Sequence, residues 1–190
     1  MTHASEGLPA AWTRFHDALR TLARLKIDPR LHGKLDLSGV IQQTLLEAYQ
    51  ARDRWQEGDS GRQLAYLRQA LAHNLADALR YLAAGKRDVT LERPLADAAG
   101  ESSARVRDWL AVDQTSPSAA TARHERDLLL ADALNELPEA QREALILQHW
   151  HGWSLAEIGE RLGRSPAAVA GLLKRGLKAL RERLRDWSDP

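Results

Sequence analysis

The chain of 190 residues contains no cysteine. Disulfide bonds, thiolate zinc sites, iron–sulfur clusters and cysteine nucleophiles are therefore excluded. Aromatic residues make up only 5% of the chain, and alternating runs of β-branched and aromatic residues, which mark strands, do not occur. Leu, Ala, Arg, Glu and Gln dominate instead, and these residues favour helices. The composition predicts an all-α protein.

Long hydrophobic runs are also missing. No apolar stretch approaches the roughly 18 residues that a membrane-spanning helix needs. Residues 1–10 lack the basic and then apolar pattern of a secretory signal. We therefore expect no membrane contact and a cytoplasmic location. Lys and Arg number 27 against 26 Asp and Glu, so the net charge of +1 says nothing about partners and only the distribution of charge can.

Helical periodicity divides the chain in two. Apolar residues recur at three- and four-residue steps through three stretches before residue 85, and again after residue 122. The period fades over residues 94–121, where Pro, Gly and Ser accumulate. The sequence predicts two helical domains, residues 10–93 and 122–187, joined by a flexible acidic linker over residues 94–121. We expect little contact between the domains.

Basic residues concentrate in two places. Residues 62–93 and 161–190 carry more Lys and Arg than Asp and Glu, whereas residues 94–140 are acidic. Two basic patches on either side of an acidic segment indicate two contacts with a polyanion. Basic helix faces that are merely solvated would give the same pattern, so both interpretations stay open at this point.

The most specific motif is a helix-turn-helix near the C-terminus. Ser154 followed by Glu157 forms a capping box that begins the first helix. Gly163 permits a left-handed turn, and Ser165 with Pro166 begins the second helix. The inward faces are apolar or small and consist of Leu155, Ile158, Gly159, Leu162, Val169, Leu172, Leu173, Gly176, Leu177 and Leu180. This combination predicts a DNA-binding helix-turn-helix, with a helical hairpin used only for packing as the alternative.

The outer face of the second helix combines small residues near its start with cations further along. It comprises Ser165, Ala167, Ala168, Ala170, Gly171, Lys174, Arg175 and Lys178. Small side chains cannot make bidentate contacts to bases, although Ala can contact a thymine methyl group. Lys and Arg suit phosphates. We therefore expect this face to contact a DNA groove mainly through shape, methyl groups and the phosphate backbone.

Further segments carry a family resemblance. DLSGVIQQTLLEAYQARDRW (36–55), followed by LAYLRQALAHNLADALR (64–80), resembles region 2 of bacterial RNA polymerase sigma factors of the small extracytoplasmic-function (ECF) type. ALNELPEAQREALIL, together with SLAEIGERLG and SPAAV, resembles their region 4. The matches span most of residues 10–93 and 125–187, and their order and separation match the family too.

This resemblance implies a dissociable subunit that gives core RNA polymerase its promoter specificity. Region 2 would bind the polymerase clamp, melt the minus-ten element and hold it as a single strand. Region 4 would place its recognition helix in the major groove of the minus-thirty-five element, and the linker would thread through the polymerase. The implied partners are core RNA polymerase, promoter DNA in double-stranded and melted form, and an anti-sigma factor.

The resemblance also implies roles for individual residues. Gln42, Gln43 and Glu47 lie on the helix that the family uses against the clamp. Trp55 stands where the family has an aromatic residue that can stack on an unpaired base. Asn74 matches the Asn that lines the pocket for a flipped-out promoter base. One face of that helix, away from the leucine stripe, adds Tyr66, His73, Asp77 and Arg80 to the expected minus-ten surface.

Several of these assignments have a structural alternative. Trp55 can be a core aromatic residue, Asn74 a satisfied buried amide, and Asp77 with Arg80 a simple ion pair at i,i+3 spacing. The chain also departs from the family pattern, for example at Ala170, where a basic or polar residue is common. These departures leave the promoter sequence open.

Other chemistry has little support in the sequence. His149 and His151 are two residues apart, which places them on different faces of a helix, and no carboxylate pair accompanies them, so no metal site is predicted. Neither a glycine-rich phosphate loop after a strand nor a nucleophile elbow is present. We expect no cofactor and no enzyme activity. The alternative functions are a stand-alone helix-turn-helix regulator and a helical adaptor that does not bind DNA, and neither needs a region 2.

Overall fold

Every regular element that the structure describes is helical. In this computed structural model the described residues are 10–51, 60–84, 93–112 and 117–185. The α-helices in these ranges are α1 (Ala10–Lys26), α2 (Leu37–Gln50), α3 (Ser60–Ala84), α4 (Arg93–Val112), α5 (Pro117–Asn135), α6 (Glu139–His149), α7 (Leu155–Leu162) and α8 (Pro166–Arg185), and a 3-10 turn covers Pro29–Leu31. The prediction of an all-α fold is confirmed.

Helices α1, α2 and α3 pack around a leucine core. Their amphipathic spacing turns one apolar face of each helix inward, and the buried leucines of α1 and α3 include Leu19, Leu22, Leu64, Leu67, Leu71 and Leu75. Asp28 begins the 3-10 turn by accepting a hydrogen bond from the backbone N–H of Arg30 at 2.9 Å. Asp36 begins α2 in the same way, with Gly39 as the donor at 2.9 Å.

The segment between the two blocks is helical, which corrects the prediction of a flexible linker. α4 packs against α3 and the 3-10 turn. Its inner face consists of Ala98, Ser102, Val106 and Trp109, which recur at helical spacing and are all buried. Because Pro, Gly and Ser accumulate in this segment, its sequence predicts a linker, although its inner face has helical spacing. Ser102 has a structural task, since its Oγ accepts a hydrogen bond from the buried backbone N–H of Asp28 at 3.0 Å.

Helix α5 joins the two blocks directly. It begins at Pro117, inside the predicted linker, and packs against α1 and α3 of the first block and α8 of the second. The buried side chains of both blocks form one hydrophobic cluster, which includes Trp109 of α4 and Leu128 and Leu134 of α5. The expectation of little contact between the blocks is therefore wrong for this structure.

Polar side chains reinforce the junction between α1 and α5. Arg14 donates to Oδ2 of Asp132 from Nε at 3.0 Å and from Nη2 at 2.6 Å. Thr21 Oγ1 donates to Oδ1 of Asn135 at 2.5 Å. Thr21 is buried, so this hydrogen bond satisfies a hydroxyl that the packing of α5 removes from water.

Arg24 continues the junction toward α6. Its guanidinium forms an ion pair with Glu143, whose side chain is largely buried. Its backbone carbonyl accepts a hydrogen bond from Nε2–H of His151 at 2.8 Å. Burial lowers the pKa of His151, which keeps the ring neutral at neutral pH. The second block therefore bonds to both the side chain and the backbone of one α1 residue.

Helices α6, α7 and α8 form the second block. α8 packs on both of the others, and it lies close to α6 at Gly176. A Cβ atom at this glycine would lie 3.1 Å from Leu145 Cδ1 and 3.2 Å from Gln141 Cβ. The small residue thus lets α8 lie close to α6, which holds the outer face of α8 in a fixed orientation.

Candidate nucleic-acid interface

The turn between α7 and α8 is built by its caps. Ser154 Oγ accepts from the backbone N–H of Glu157 at 3.3 Å, and Glu157 Oε2 accepts from Ser154 Oγ at 2.7 Å and from its backbone N–H at 2.8 Å. The Ser154 hydroxyl and backbone N–H together hold the pKa of the Glu157 carboxyl below its ordinary value. Gly163 ends α7 with φ 63° and ψ 41°, the left-handed conformation. The predicted capping box and helix-turn-helix are confirmed.

Gly159 determines how closely the turn approaches α7. It is buried, and a Cβ atom built on it would lie 2.6 Å from the backbone carbonyl oxygen of Arg164. Because the obstacle is backbone, a larger side chain would displace the turn and the start of α8. The position of α8 thus depends on this glycine.

The outer face of α8 is open to solvent. The exposed members of the predicted minus-thirty-five surface are Ser165, Ala167, Ala168, Ala170, Lys174, Arg175 and Lys178, and Gly171 is half-exposed. Val169, Leu172 and Leu173 lie on the opposite face and are buried. The structure therefore brings all of the predicted residues to one accessible surface, with the small residues in the first turns of the helix.

The cations on this face differ in their internal partners. Lys178 Nζ lies 3.8 Å from Oε1 of Glu182, one turn further along α8. Within the described residues Lys174 and Arg175 make no ion pair. The Arg175 guanidinium lies over Gly171, with Nη1 3.4 Å from the place of a Cβ atom. Lys174 and Arg175 can therefore bind phosphates without breaking an internal ion pair.

The predicted minus-ten face of α3 is more strongly bonded within the protein. Nδ1–H of His73 donates to the backbone carbonyl of Gln69 at 2.8 Å. Asp77 and Arg80 form an exposed ion pair at i,i+3 spacing. Tyr66 is half-buried and packs against the hydrophobic cluster. These four predicted residues share one side of α3. His73, Asp77 and Arg80 are exposed but bonded within the protein, and Tyr66 is only partly accessible.

Asn74 links α3 to α2. Its Nδ2 donates to Oγ1 of Thr44 at 3.0 Å and to Oε2 of Glu47 at 2.9 Å, which uses both amide hydrogens. Thr44 is fully buried and donates in turn to the carbonyl of Val40 at 2.8 Å. The geometry matches the satisfied amide that the sequence left open as an alternative. The Oδ1 acceptor is the part of Asn74 that this network leaves for another group.

The predicted polymerase-binding residues lie on α2. Gln42 and Gln43 are exposed, and Gln43 Nε2 donates to Oε1 of Glu47 at 2.7 Å. Glu47 therefore accepts hydrogen bonds from both Gln43 and Asn74. One hydrogen-bond network connects the predicted polymerase surface with the predicted promoter surface.

Two large apolar side chains beside these residues were missed by the sequence analysis. Leu46 is 50% exposed and Tyr49 is 52% exposed. Tyr49 contacts the edge of Trp12, with 6.1 Å between the ring centres. Leu46 falls outside the apolar stripe of α2, which is the signal that could have revealed it. Exposed apolar groups next to glutamines are typical of a protein-binding surface.

Trp55 lies outside the described residues, so its predicted place at the minus-ten surface has no structural counterpart here. In the part of the chain that is described, no group of three or more His, Asp or Glu side chains is arranged to hold a metal ion. No helix within these ranges has the length and hydrophobicity to cross a membrane.

The fold and the site define an all-helical protein with a basic helix-turn-helix of the DNA-binding type. A family model described as sigma-70, region 4, matches residues 127–180. RNA polymerase sigma factor CarQ of Myxococcus xanthus is 34% identical over 145 residues, which cover 76% of this chain and 72% of that protein. An RNA polymerase sigma-E factor of Streptomyces antibioticus is 32% identical over 174 residues, or 90% of this chain and 81% of that protein.

A third relative is ECF RNA polymerase sigma factor SigF of Caulobacter vibrioides, which is 34% identical over 150 residues, or 79% of this chain and 72% of that protein. No solved structure shows a significant match. The relatives cover both blocks and α4 between them. The chain belongs to the RNA polymerase sigma factors, in the ECF group.

Proposed function

We propose that this sigma factor recruits core RNA polymerase to promoters by contacting the minus-thirty-five element with α8 and the minus-ten element with α3 and Trp55. The observation that carries the proposal is the outer face of α8. Small residues on its first turns allow close approach to a groove, and the exposed Lys174 and Arg175 on the later turns suit phosphates. Such a face suits duplex DNA and has no role in packing.

At the minus-ten element, we propose that Asn74 contacts an extruded base through Oδ1 while Nδ2 stays bonded to Thr44 and Glu47. An acceptor held rigidly in this way would favour a base with an amino group at the facing edge. Trp55 would stack on an unpaired base, which is worth about 1–3 kcal/mol. His73 and Arg80 are exposed on α3 and would contact the backbone of the melted strand.

The polymerase-binding surface in this proposal is the outer side of α2. Gln42, Gln43 and Glu47 supply polar contacts, and the exposed Leu46 and Tyr49 supply apolar area that becomes buried in the complex. We also propose an inhibitory anti-sigma partner, which the family resemblance implies, and a location in the cytoplasm with the polymerase.

Contact with both promoter elements requires the two blocks to separate. Elements centred about 25 base pairs apart lie about 85 Å apart along the duplex. A compact chain of 190 residues has a radius of gyration of about 16 Å. The junction formed by Arg24, Glu143 and His151 must therefore open when the polymerase and promoter bind.

Transcription with purified core RNA polymerase tests the function. Adding the chain should yield a stable holoenzyme and initiation that depends on promoter sequence. A stand-alone regulator would instead bind duplex DNA without the polymerase and would leave initiation by the core enzyme unchanged. That result, or failure to bind core polymerase, would overturn the proposal.

A further inference from the structure

A recess at the junction of α1, α3, α4 and α5 has no part in the proposed function. Its volume is about 450 Å³. Five cations line it, Lys26, Arg68, Arg105, Arg123 and Arg126, against two carboxylates. The lining therefore has a marked excess of positive charge in a chain whose total charge is close to zero.

Two of these cations lie against one aromatic ring. The Arg68 guanidinium carbon is 4.8 Å from the centre of the Trp109 ring, and Lys26 Nζ is 5.3 Å from it. Trp109 is 4% exposed, and among the described residues its buried indole N–H has no acceptor. This N–H is a buried donor that a bound acceptor would satisfy.

The two lining carboxylates, Asp108 and Asp127, are fewer than the cations, and Arg105 also pairs with Glu101, with Nη1 3.7 Å from Oε2. Arg68 Nε lies 2.9 Å from Oδ2 of Asp127, and Arg105 Nε donates to the backbone carbonyl of Lys26 at 3.0 Å. In the described part of the chain, Lys26 and Arg126 form no ion pair. Burial lowers the pKa of Lys26 even though Asp127 opposes this effect. An anion in the recess would oppose this lowering and favour the charged form of the ammonium group.

We propose that the recess binds a small phosphate-class anion, either free pyrophosphate or the polyphosphate group of a nucleotide. A guanidinium group can donate two parallel hydrogen bonds to the oxygens of one phosphate. A cluster of arginines with few carboxylates therefore favours a phosphate ligand. The volume lies within the range of about 300–1,000 Å³ that is typical of small-molecule sites, and it exceeds what a single phosphate ion fills.

The depth of the site favours a small anion over a nucleic-acid backbone. The Arg68 side chain is only 3% exposed, and Lys26 is half-buried. A continuous strand running over the surface would reach the exposed Arg126 but not these two groups. A bound anion would also bridge α5 to α1 and α4. It would therefore favour the arrangement in which the two blocks are packed together. Only this consequence rests on the proposed function.

Calorimetric titration of the full chain with sodium pyrophosphate tests the site, without polymerase or promoter. We expect saturable binding and a raised Tm. Arg126→Gln and Lys26→Met should each weaken binding about tenfold, the size of one charge-assisted hydrogen bond. Arg181→Gln is the matched control, because Arg181 is exposed on α8 and does not line the recess. Circular dichroism verifies that each variant is folded.

Parallel titrations with ATP and with single-stranded DNA distinguish the source of the phosphate. Tighter binding of ATP than of pyrophosphate, with the same response to both substitutions, assigns the site to a nucleotide. Equal binding of both assigns it to the diphosphate group alone. The proposal is overturned if pyrophosphate does not bind at millimolar concentration or if the control loses as much affinity as the two variants. It also fails if only DNA binding responds to Lys26→Met.

Discussion

The outer faces of α8 and α3 are both expected to contact promoter DNA, but they are prepared for it in different ways. On α8 the small residues are exposed, and Lys174 and Arg175 make no ion pair within the described residues. On α3 the polar groups bond to the protein itself, as Asn74 does to Thr44 and Glu47 and as Asp77 does to Arg80.

This difference matches the two forms of DNA that the proposed function assigns to α8 and α3. A duplex groove exists before the protein arrives, so a face that reads it can be fixed in advance and needs no change of partners. An extruded base exists only after melting. On α3 the internal hydrogen bonds of the Asn74 Nδ2 group hold the side chain in place, so that the Oδ1 acceptor is positioned before the base arrives.

The largest expected effect follows from displacing α8 as a whole. Gly159→Ala should destabilise the second block by about 1–3 kcal/mol, since the new Cβ atom meets the Arg164 carbonyl oxygen and forces the turn to move. Binding to minus-thirty-five duplex should fall with it, and thermal unfolding together with duplex titration measures both. Gly100→Ala is the control, because nothing lies within 4 Å of a Cβ atom there. A neutral Gly159→Ala would show that the turn is not tightly packed.

Trp55→Ala should separate melting from assembly. Loss of a stacking contact worth about 1–3 kcal/mol should reduce open-complex formation, while binding to core polymerase and to the duplex survives. Permanganate footprinting of melted thymines, beside a polymerase-binding assay, measures the two steps. Trp55→Phe keeps a stacking ring and should restore melting. Normal melting by Trp55→Ala would make this residue a packing residue.

Asn74→Ala tests whether the α3 face has both an internal and an external role. Removing the donor to Thr44 and Glu47 should lower the free energy of unfolding by about 1–3 kcal/mol. The same change should relax the preference at one minus-ten base by a similar amount. Denaturant unfolding and competition between minus-ten variants measure the effects separately. Lower stability with unchanged base preference would confine Asn74 to structure.

Arg175→Gln should affect α8 in a sequence-independent way. Loss of one phosphate contact lowers the salt slope of duplex binding by about 0.9 and weakens different minus-thirty-five sequences alike. Lys178→Gln should have less effect, since Lys178 already pairs with Glu182. Arg20→Gln removes the same charge from α1 and serves as the control. A change in sequence preference with Arg175→Gln would mean that this arginine contacts a base.

The smallest expected effect is on the junction between the blocks and depends on pH. His151 has its pKa lowered by burial from the ordinary value of 6.5. Below about pH 6.5, His151 takes up a proton when the junction is open but not when it is packed. The stability of the junction therefore falls as pH falls. His151→Gln keeps a donor for the Arg24 carbonyl and should flatten the decline of Tm toward pH 5.5. An unchanged pH profile would assign the decline to other groups.

Sequence patterns predicted the second block well because each of its signals is local. The capping box, the left-handed Gly163 and the buried stripe of α8 depend on neighbours in the chain, and all three are present in the structure. The exposed cationic face follows directly from the position of that stripe.

The junction could not be predicted in this way because it depends on distant partners. The burial of Ser102 is explained by its hydrogen bond to the backbone of Asp28, which is 74 residues away in the chain. Helix α5 has almost no one-sided apolar pattern because it packs against three helices, α1, α3 and α8. Asn74 is ambiguous for the same reason, since its bonding depends on where α2 lies relative to α3.

The central claim is that one compact molecule opens so that α8 and α3 reach different promoter elements. Because the chain lacks cysteine, Lys34→Cys with Arg181→Cys gives a unique pair of spin-label sites, one in each block. Double electron–electron resonance should give a short, narrow distance distribution for the free protein and a distance longer by tens of ångströms in the complex with core polymerase and promoter DNA. An unchanged distance in a complex that initiates transcription would contradict the account.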